Sequence, residues 1–227
     1  MNRPIDPPPT TLIVLAKAPQ AGLAKTRLIP ALGAAGAAAL AERLLDDAMD
    51  RALAAKLGPV LLCGTPDLLH PAFTRHAARP GVALALQVGV GLGERMHHAL
   101  LSVLAAPLPN QPSASHQALL IGTDCPALCA TLLRQAAATL ATTDVVLVPA
   151  LDGGYALIGM RRPAPSLFSG MVWSTPQVLA HTRQRLAAAG LRHAELPAVP
   201  DIDEPADLAH LPAGWLVPPG HDRIKPG

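Results

Sequence analysis

The sequence predicts an α/β fold in which a parallel sheet lies between two layers of helices. Apolar segments of strand length alternate with longer segments whose apolar residues recur at helical spacing. The strand segments are continuously apolar, which is typical of parallel strands that helices cover on both faces. The length of 227 residues suits one large domain, and the sequence contains no internal repeat.

The strands are predicted from short apolar runs bounded by turn-forming residues. The first run, 11–16 (TLIVLA), is too short for a helix and precedes Pro19 and Gly22. The last run follows a turn at Gly153 and Gly154. The six predicted strands are 11–16, 60–63, 82–88, 118–122, 145–148 and 155–160.

The helices are predicted where apolar residues recur every three or four positions. The longest, 33–57, ends before Gly58, a typical C-terminal stop. We expect a flexible N-terminal segment, a single domain, a proline-broken loop inside it and a tail rich in Pro and Gly. The other predicted helices are 92–104, 128–140, 174–189 and 206–211. The N-terminal segment is 1–10, the domain 11–211, the proline-broken loop 107–117 and the tail 212–227.

Composition and charge exclude several classes of protein. A net charge of +2 is too small for binding a nucleic-acid duplex, and an aromatic content of 2% argues against base-stacking platforms and aromatic carbohydrate grooves. Three cysteines cannot form a complete set of disulfides, which favours a reducing cytoplasm. No signal-peptide pattern and no unbroken bilayer-length apolar run is evident. We expect a soluble cytoplasmic protein that is not an integral membrane protein.

A basic loop follows the first predicted strand, where open α/β sheets bind their ligands. Lys17, Lys25 and Arg27 stand there without a nearby acid, and Gly22 permits a tight turn that presents backbone amides. Such a loop suits a phosphate group. The alternative is a solvated basic loop. The loop after the first strand is not a Walker A loop, because Pro19 and Ala24 occupy glycine positions of that pattern.

Acidic residues stand after the fourth strand and near the end of the domain. Asp124 can hold a divalent cation together with phosphates and water, or it can cap the following helix. The segment 201–207 (DIDEPAD) carries four acids, of which Asp203 also suits an N-cap. We expect Asp203 to reach the same cation as Asp124, and Asp207 to be a solvated helix residue.

Six segments along the chain resemble, in sequence and in order, the bacterial DUF2064 family, which is grouped with an arsenosugar-biosynthesis glycosyltransferase. That family belongs to the nucleotide-diphospho-sugar transferase superfamily, with molybdenum-cofactor guanylyltransferase and phospholactate guanylyltransferase. The resemblance extends over 11–211. The segments are AKAPQAGLAKTRL, LGERM, IGTDCPAL, PALDGGYALIG, WSTPQVL and DIDEPADL.

The resemblance implies a single-domain GT-A fold, a Rossmann-like three-layer α/β/α sandwich with a mostly parallel mixed sheet. It also implies a nucleotide-diphosphate substrate and a Mg²⁺ or Mn²⁺ cofactor. The sequence departs from the family pattern at Gly91, where an aspartate is expected. By position, the matching nucleotide-binding residues are Lys17, Gly22, Lys25, Arg27 and Gly93, and the matching metal ligands are Asp124 and Asp203.

The segment DGGY follows the fifth strand on the expected ligand side. Its composition is that of a turn, and a turn is the alternative to a functional role. We expect it to bind the acceptor, with Asp152 as a candidate catalytic base. The residues concerned are Asp152, Gly153, Gly154 and Tyr155.

Other residues are assigned structural roles. Trp173 is expected to anchor packing, with ligand binding as the alternative, and Ser174 is expected to cap a helix. Cys125 and Cys129 lack the further soft ligands that a metal site needs, so we expect them in the core. Neighbouring histidines at 97 and 98 receive no catalytic role.

Three functions follow from these residues. The first is a glycosyltransferase that uses a nucleotide-sugar donor and a small or lipid-linked acceptor, with Lys25 and the cation stabilising the leaving diphosphate. The second is a nucleotidylyltransferase in which a phosphorylated acceptor attacks an NTP. The third is a nucleotide-binding module without catalysis. A phosphorylated acceptor needs additional cations, and only Arg161 and Arg162 follow the DGGY segment, which favours the first function.

Overall fold

The computed structural model describes residues 10–106 and 116–215. Most of the predicted N-terminal segment, of the proline-broken loop and of the tail lies outside these residues, while Thr10, predicted in the flexible segment, is the first residue of a strand. Within them, seven strands form one sheet in the order β3-β2-β1-β4-β6-β5-β7. The strands are β1 Thr10–Lys17, β2 Val60–Thr65, β3 Val82–Leu86, β4 Gln117–Ile121, β5 Val145–Pro149, β6 Tyr155–Met160 and β7 His193–Glu195.

The sheet is mostly parallel, with one reversed strand. Strands β1 to β4 pair in parallel, and β5 pairs in parallel with β7. Strand β6 is antiparallel to both neighbours, because a short turn at 150–154 joins it directly to β5. The predicted mixed α/β sheet is confirmed, and six of the seven strands end at the same edge.

Five α-helices and three short 3₁₀ helices connect the strands of the described chain. The helices are α1 Ile29–Ala54, α2 Pro71–Ala77, α3 Leu92–Leu104, α4 Ala130–Thr139 and α5 Val178–Ala188, and the 3₁₀ helices are Thr26–Leu28, Pro165–Leu167 and Pro205–His210.

The sequence predictions missed two elements. Helix α2 has seven residues, begins at Pro71 and uses the His70 side chain as its cap, so it is too short for a periodic pattern. Strand β7 has three residues, of which the first and last are exposed, so it lacks an apolar run. The predicted final helix is instead the 3₁₀ helix Pro205–His210.

Alternating residues of the central strands face two separate cores. On β1, Leu12 and Val14 pack in the cluster that contains residues of α1, α2 and α4. Ile13, between them, packs in the cluster that contains residues of α3 and α5. The sheet therefore has helices on both faces, as predicted for continuously apolar strands.

The segment 26–54 is long and apolar enough to cross a membrane by length and composition, the single such helix in residues 10–106 and 116–215. Leu45 and Met49 of α1 are buried in the sheet cluster, and Leu44 is buried in a neighbouring one. This apolar face is therefore covered by the fold itself. The first residues of the predicted tail also pack here, with Trp215 lying 4.6 Å from the Arg43 guanidinium carbon.

Candidate functional site

A cavity of about 750 Å³ opens at the sheet edge where β1, β4 and β5 end. Its charged lining combines three cations with five carboxylates, namely Lys17, Lys25, Arg27, Asp124, Asp152, Asp201, Asp203 and Glu204. Its apolar lining includes Leu15, Leu92, Met96, Leu120, Tyr155, Ala156, Trp173 and Val178. This is the edge at which open α/β sheets bind ligands.

The loop after β1 turns tightly and directs one lysine inward. Gly22 has a φ of 80°, and Lys25 has a φ of 48°, a left-handed conformation that is uncommon outside glycine. Lys25 precedes the 3₁₀ helix Thr26–Leu28, and its side chain is only 7% exposed. Lys17 remains exposed, and its Nζ donates to the carbonyl of Leu23 at 2.8 Å.

Lys25 joins the basic loop to both predicted metal ligands. Its Nζ lies 2.8 Å from Asp124 Oδ1 and 3.7 Å from Asp203 Oδ1, and it donates to the carbonyl of Ile202. The exposed Arg27 guanidinium donates to the other oxygen of Asp203. The structure therefore brings the basic loop and the two acidic segments together, and their opposite charges neutralise each other.

A buried isoleucine positions the acidic segment. Ile202 is 0% exposed and packs with Leu28 and residues of α1, while its amide donates to the Asp124 carbonyl at 2.9 Å. In extended chain, residues on either side of a buried residue point the opposite way. Asp201 and Asp203 both line the cavity in consequence.

Two capping predictions were wrong. Helix α4 begins at Ala130 with Cys129 at its N-cap, so Asp124 caps nothing. Glu204, not Asp203, is the N-cap of the last 3₁₀ helix. Asp207 is not merely a solvated helix residue either, because its Oδ2 accepts from the backbone amides of Asp203 and Glu204 at 3.0 and 2.7 Å.

Asp201 is a cavity carboxylate to which the sequence analysis assigned no role. Burial raises its pKa, and the negative charge of Asp152 raises it further. The only sequence signal was its position two residues before Asp203, with Ile202 between them. A half-buried carboxylate beside other carboxylates destabilises the fold. Such carboxylates are common at ligand-binding sites.

Substitution of Asp201 by asparagine is therefore expected to raise the free energy of unfolding at pH 7. A carboxyl group with a higher pKa in the folded chain holds its proton more tightly there, so stability is lost as rising pH ionises it. The benefit of Asp201→Asn should shrink towards zero at about pH 3, where aspartate is mostly protonated in either state. Urea unfolding at both pH values measures this, and a benefit that does not change with pH would contradict it.

The DGGY segment forms the turn between β5 and β6. Asp152 Oδ1 accepts from the Gly154 amide at 2.8 Å, so the turn interpretation is correct for that oxygen. Gly153 has a φ of 91°, and a Cβ there would lie 2.2 Å from the carbonyl oxygen of Pro176. Burial raises the pKa of the Tyr155 hydroxyl, which therefore stays protonated at neutral pH.

Trp173 forms an aromatic wall of the cavity. Its indole stacks near Phe168 and meets Tyr155 edge to face, both with centroids 6.4 Å apart. Gly93 lies buried directly beneath the indole, and its nucleotide contact stays a prediction. The predicted cap at Ser174 was wrong, since α5 begins at Val178.

Alanine at position 93 tests this packing. Its Cβ would lie 2.3 Å from Trp173 Nε1, so the indole must move. We expect Gly93→Ala to lower the free energy of unfolding by about 1–3 kcal/mol, as overpacking does, and to change tryptophan fluorescence. Gly91→Ala is the matched control, because a Cβ at Gly91 has no atom within 4 Å. Equal effects of the two variants would refute the packing role.

The cysteines and histidines form no site. Burial raises the pKa of the Cys125 thiol, as expected of a core cysteine, but Cys129 is exposed, contrary to prediction. The His97 ring lies 5.8 Å from Phe168, and His98 is exposed. Among residues 10–106 and 116–215, no three His, Cys, Asp or Glu side chains are arranged to hold a metal.

Asp124 and Asp203 nevertheless fit a divalent cation that arrives with its substrate. Both carboxylates approach one ammonium group, so a single small cation is within reach of both. Magnesium is commonly held by one or two carboxylates, with substrate phosphates and water completing six ligands.

Comparison with protein families gives one match, to "Uncharacterized protein conserved in bacteria (DUF2064)", over residues 35–175. These residues include Asp124 and Asp152, while Lys25 and Asp203 lie outside them. Comparison with curated proteins finds no match.

Solved structures share the fold. A protein of Desulfovibrio desulfuricans G20, provisionally named a nucleotide-diphospho-sugar transferase, is 30% identical with a TM-score of 0.78, over 88% of this chain and 85% of that one. CMP:2-keto-3-deoxy-manno-octonic acid synthetase complexed with CTP is 14% identical with a TM-score of 0.53, over 88% and 95%. Rv0371c of Mycobacterium tuberculosis H37Rv in complex with manganese is 17% identical with a TM-score of 0.51, over 89% and 97%.

Proposed function

The chain belongs to the DUF2064 family of the nucleotide-diphospho-sugar transferase superfamily, and we propose that it is a divalent-cation-dependent glycosyltransferase. It would transfer a sugar from a nucleotide-diphosphate donor to a small or lipid-linked acceptor in the cytoplasm. The observation that carries this proposal is the Lys25 ammonium held between Asp124 and Asp203 at the end of β4. A lysine ammonium suited to a phosphate lies there beside two carboxylates suited to a metal, which supports this proposal.

The charges of the site suit a diphosphate leaving group. When the donor binds, Lys25 and Arg27 turn their donors from the carboxylates to the phosphate oxygens, where Arg27 can bind two oxygens at once. Asp124 and Asp203 are then free to hold Mg²⁺ or Mn²⁺. A bound divalent cation would supply further stabilisation of the negative charge that develops as the glycosidic bond breaks. The residues act by fixed electrostatics more than by covalent chemistry.

The acceptor is placed on the side of Asp152 and Tyr155. Asp152 Oδ1 is engaged by the turn, and its Oδ2 has no hydrogen-bond partner among the described residues. That oxygen is the candidate to accept the proton of the acceptor hydroxyl. Tyr155 remains a neutral hydroxyl and can orient the acceptor by hydrogen bonding.

Nucleotidylyl transfer is the second candidate. The fold is shared with a nucleotidyl transferase from Methanothermobacter, at 15% identity, and an NTP could occupy the same basic loop. A phosphorylated acceptor would need cations near Tyr155. The two arginines after β6 lie at the opposite end of that strand, where Arg162 pairs with Asp144 at 3.7 Å. This placement favours glycosyl transfer.

Product analysis separates the candidates. The protein is incubated with Mn²⁺ and panels of nucleotide sugars or NTPs, with and without mixed acceptors, and released nucleoside diphosphate and pyrophosphate are measured. Nucleoside diphosphate from a sugar donor supports glycosyl transfer. Pyrophosphate from an NTP supports the second candidate and contradicts the first. Release of neither product would favour a non-catalytic nucleotide-binding module.

A further inference from the structure

One side of the cavity is aromatic and acidic. We call the residues Asp152, Tyr155, Trp173, Val178 and Asp201 the aromatic side of the cavity. Tyr155 and Trp173 meet edge to face, and both carboxylates belong to segments joined by backbone hydrogen bonds, one of them from the Leu151 amide to the Val199 carbonyl at 3.1 Å. None of these five residues is a lysine or an arginine.

The three cations of the cavity are engaged elsewhere. Lys25 and Arg27 contact Asp203, and Lys17 donates to its own loop. The two arginines after β6 are bound at the opposite end of that strand: Arg161 donates to the Ala141 carbonyl at 3.4 Å, and Arg162 pairs with Asp144. The five steps along β6 from Tyr155 to Met160 span roughly 17 Å, and both arginines follow Met160.

The cavity stays negative even when loaded. Three lining cations against five carboxylates give a net charge of −2. A divalent cation brings this to zero, and a donor with one negative charge on each of its two phosphates returns it to about −2. A further phosphate on the acceptor would therefore enter a negative cavity next to two carboxylates, which costs several kcal/mol per like-charge contact.

We propose that the aromatic side selects an acceptor that is uncharged or cationic and has an apolar body, and that it rejects phosphorylated acceptors. Trp173 and Tyr155 contact the apolar body, while Asp152 and Asp201 face its hydroxyl or ammonium group. This inference rests on the proposed function for the statement that the bound molecule is an acceptor. The charge and shape of the aromatic side do not depend on the proposed function.

Three probes with the same apolar ring test the proposal: benzylammonium, benzyl alcohol and benzyl phosphate. Each is titrated into the full-length protein with Mn²⁺, and again with the nucleoside diphosphate that binds best, by ligand-detected NMR. We expect benzylammonium to bind most tightly and benzyl phosphate most weakly, with on the order of tenfold or more between them. Benzyl phosphate binding as tightly as the alcohol would overturn the proposal, as would failure of all three to bind.

Variants assign the effect to the aromatic side. In Asp152→Asn/Asp201→Asn, the preference for benzylammonium over benzyl alcohol should fall towards one, and in Asp50→Asn it should not change. Asp50 is an exposed partner of Arg79 on α1 and is absent from the cavity lining. An unchanged preference in the double variant refutes the proposal. If benzylammonium binds most tightly and benzyl phosphate most weakly, but no sugar donor yields nucleoside diphosphate, the glycosyltransferase function is refuted and the charge selection is supported.

Discussion

Substitution of Asp124 by asparagine is expected to lower the affinity for nucleoside diphosphate in the presence of Mn²⁺ by about 100-fold or more. Asp124 is 45% exposed at the cavity, does not cap α4 and makes its closest ionic contact with Lys25. Loss of its charge removes one of two cation ligands and leaves Lys25 to Asp203 alone. Without Mn²⁺ the affinity should change much less. Calorimetry with and without the metal measures both effects.

The stability of the variant and a matched control complete this test. Because the buried Lys25 ammonium loses its closest ionic partner but keeps Asp203 and the Ile202 carbonyl, Asp124→Asn should lower the free energy of unfolding by about 1–3 kcal/mol and leave the protein folded. Asp67→Asn makes the same chemical change at an exposed turn after β2, where Asp67 Oδ1 accepts from the Leu69 amide and an asparagine oxygen can replace it. It should leave nucleotide affinity unaltered. Equal affinities of wild type and Asp124→Asn in Mn²⁺ would remove Asp124 from the site.

Substitution of Lys25 by methionine is expected to change metal and nucleotide binding in opposite directions. The buried ammonium occupies the position between Asp124 and Asp203, so it competes with any cation there. Lys25→Met should increase the affinity for Mn²⁺ alone by about tenfold or more, since Asp124 loses its ionic partner and Asp203 keeps only Arg27. It should weaken nucleoside diphosphate binding by a similar factor, because a charged hydrogen bond to phosphate is lost.

Manganese electron paramagnetic resonance measures the first effect, and calorimetry measures the second. Lys17→Met is the control: Lys17 is exposed and bonds only the Leu23 carbonyl in the described structure, so the variant should leave Mn²⁺ affinity unchanged. If Lys25→Met weakens Mn²⁺ binding or leaves it unaltered, Lys25 does not compete with the cation.

The sequence predicted the meeting of distant segments from one rule. Ligand residues were sought in loops after parallel strands, which end at one sheet edge. That rule placed the loop of Lys25 beside Asp124, whereas Asp203 follows no predicted strand and was matched through the family resemblance. Lys25 Nζ lies 2.8 Å from Asp124 Oδ1 and 3.7 Å from Asp203 Oδ1. The continuously apolar strands predicted the buried sheet, because strands that helices cover on both faces are apolar on both faces.

Other features depend on contacts that a sequence pattern does not contain. Asp203 was predicted as the cap, but Pro205 occupies the first helical position, which makes Glu204 the N-cap. The covering of Gly93 by Trp173 joins residues eighty positions apart. Helix α5 starts four residues after Ser174, whose φ of 60° is left-handed, so a hydroxyl before an apolar segment was misleading.

The location of a bound cation tests the central claim most directly. Crystals are soaked with Mn²⁺ and the nucleoside diphosphate that binds best, and the anomalous signal of manganese is mapped. The expected peak lies roughly 2–2.5 Å from oxygens of Asp124 and Asp203 and of the diphosphate, with Lys25 moved onto a phosphate. A nucleotide bound in the cavity with manganese elsewhere, or with Lys25 still paired to both aspartates, would contradict the claim.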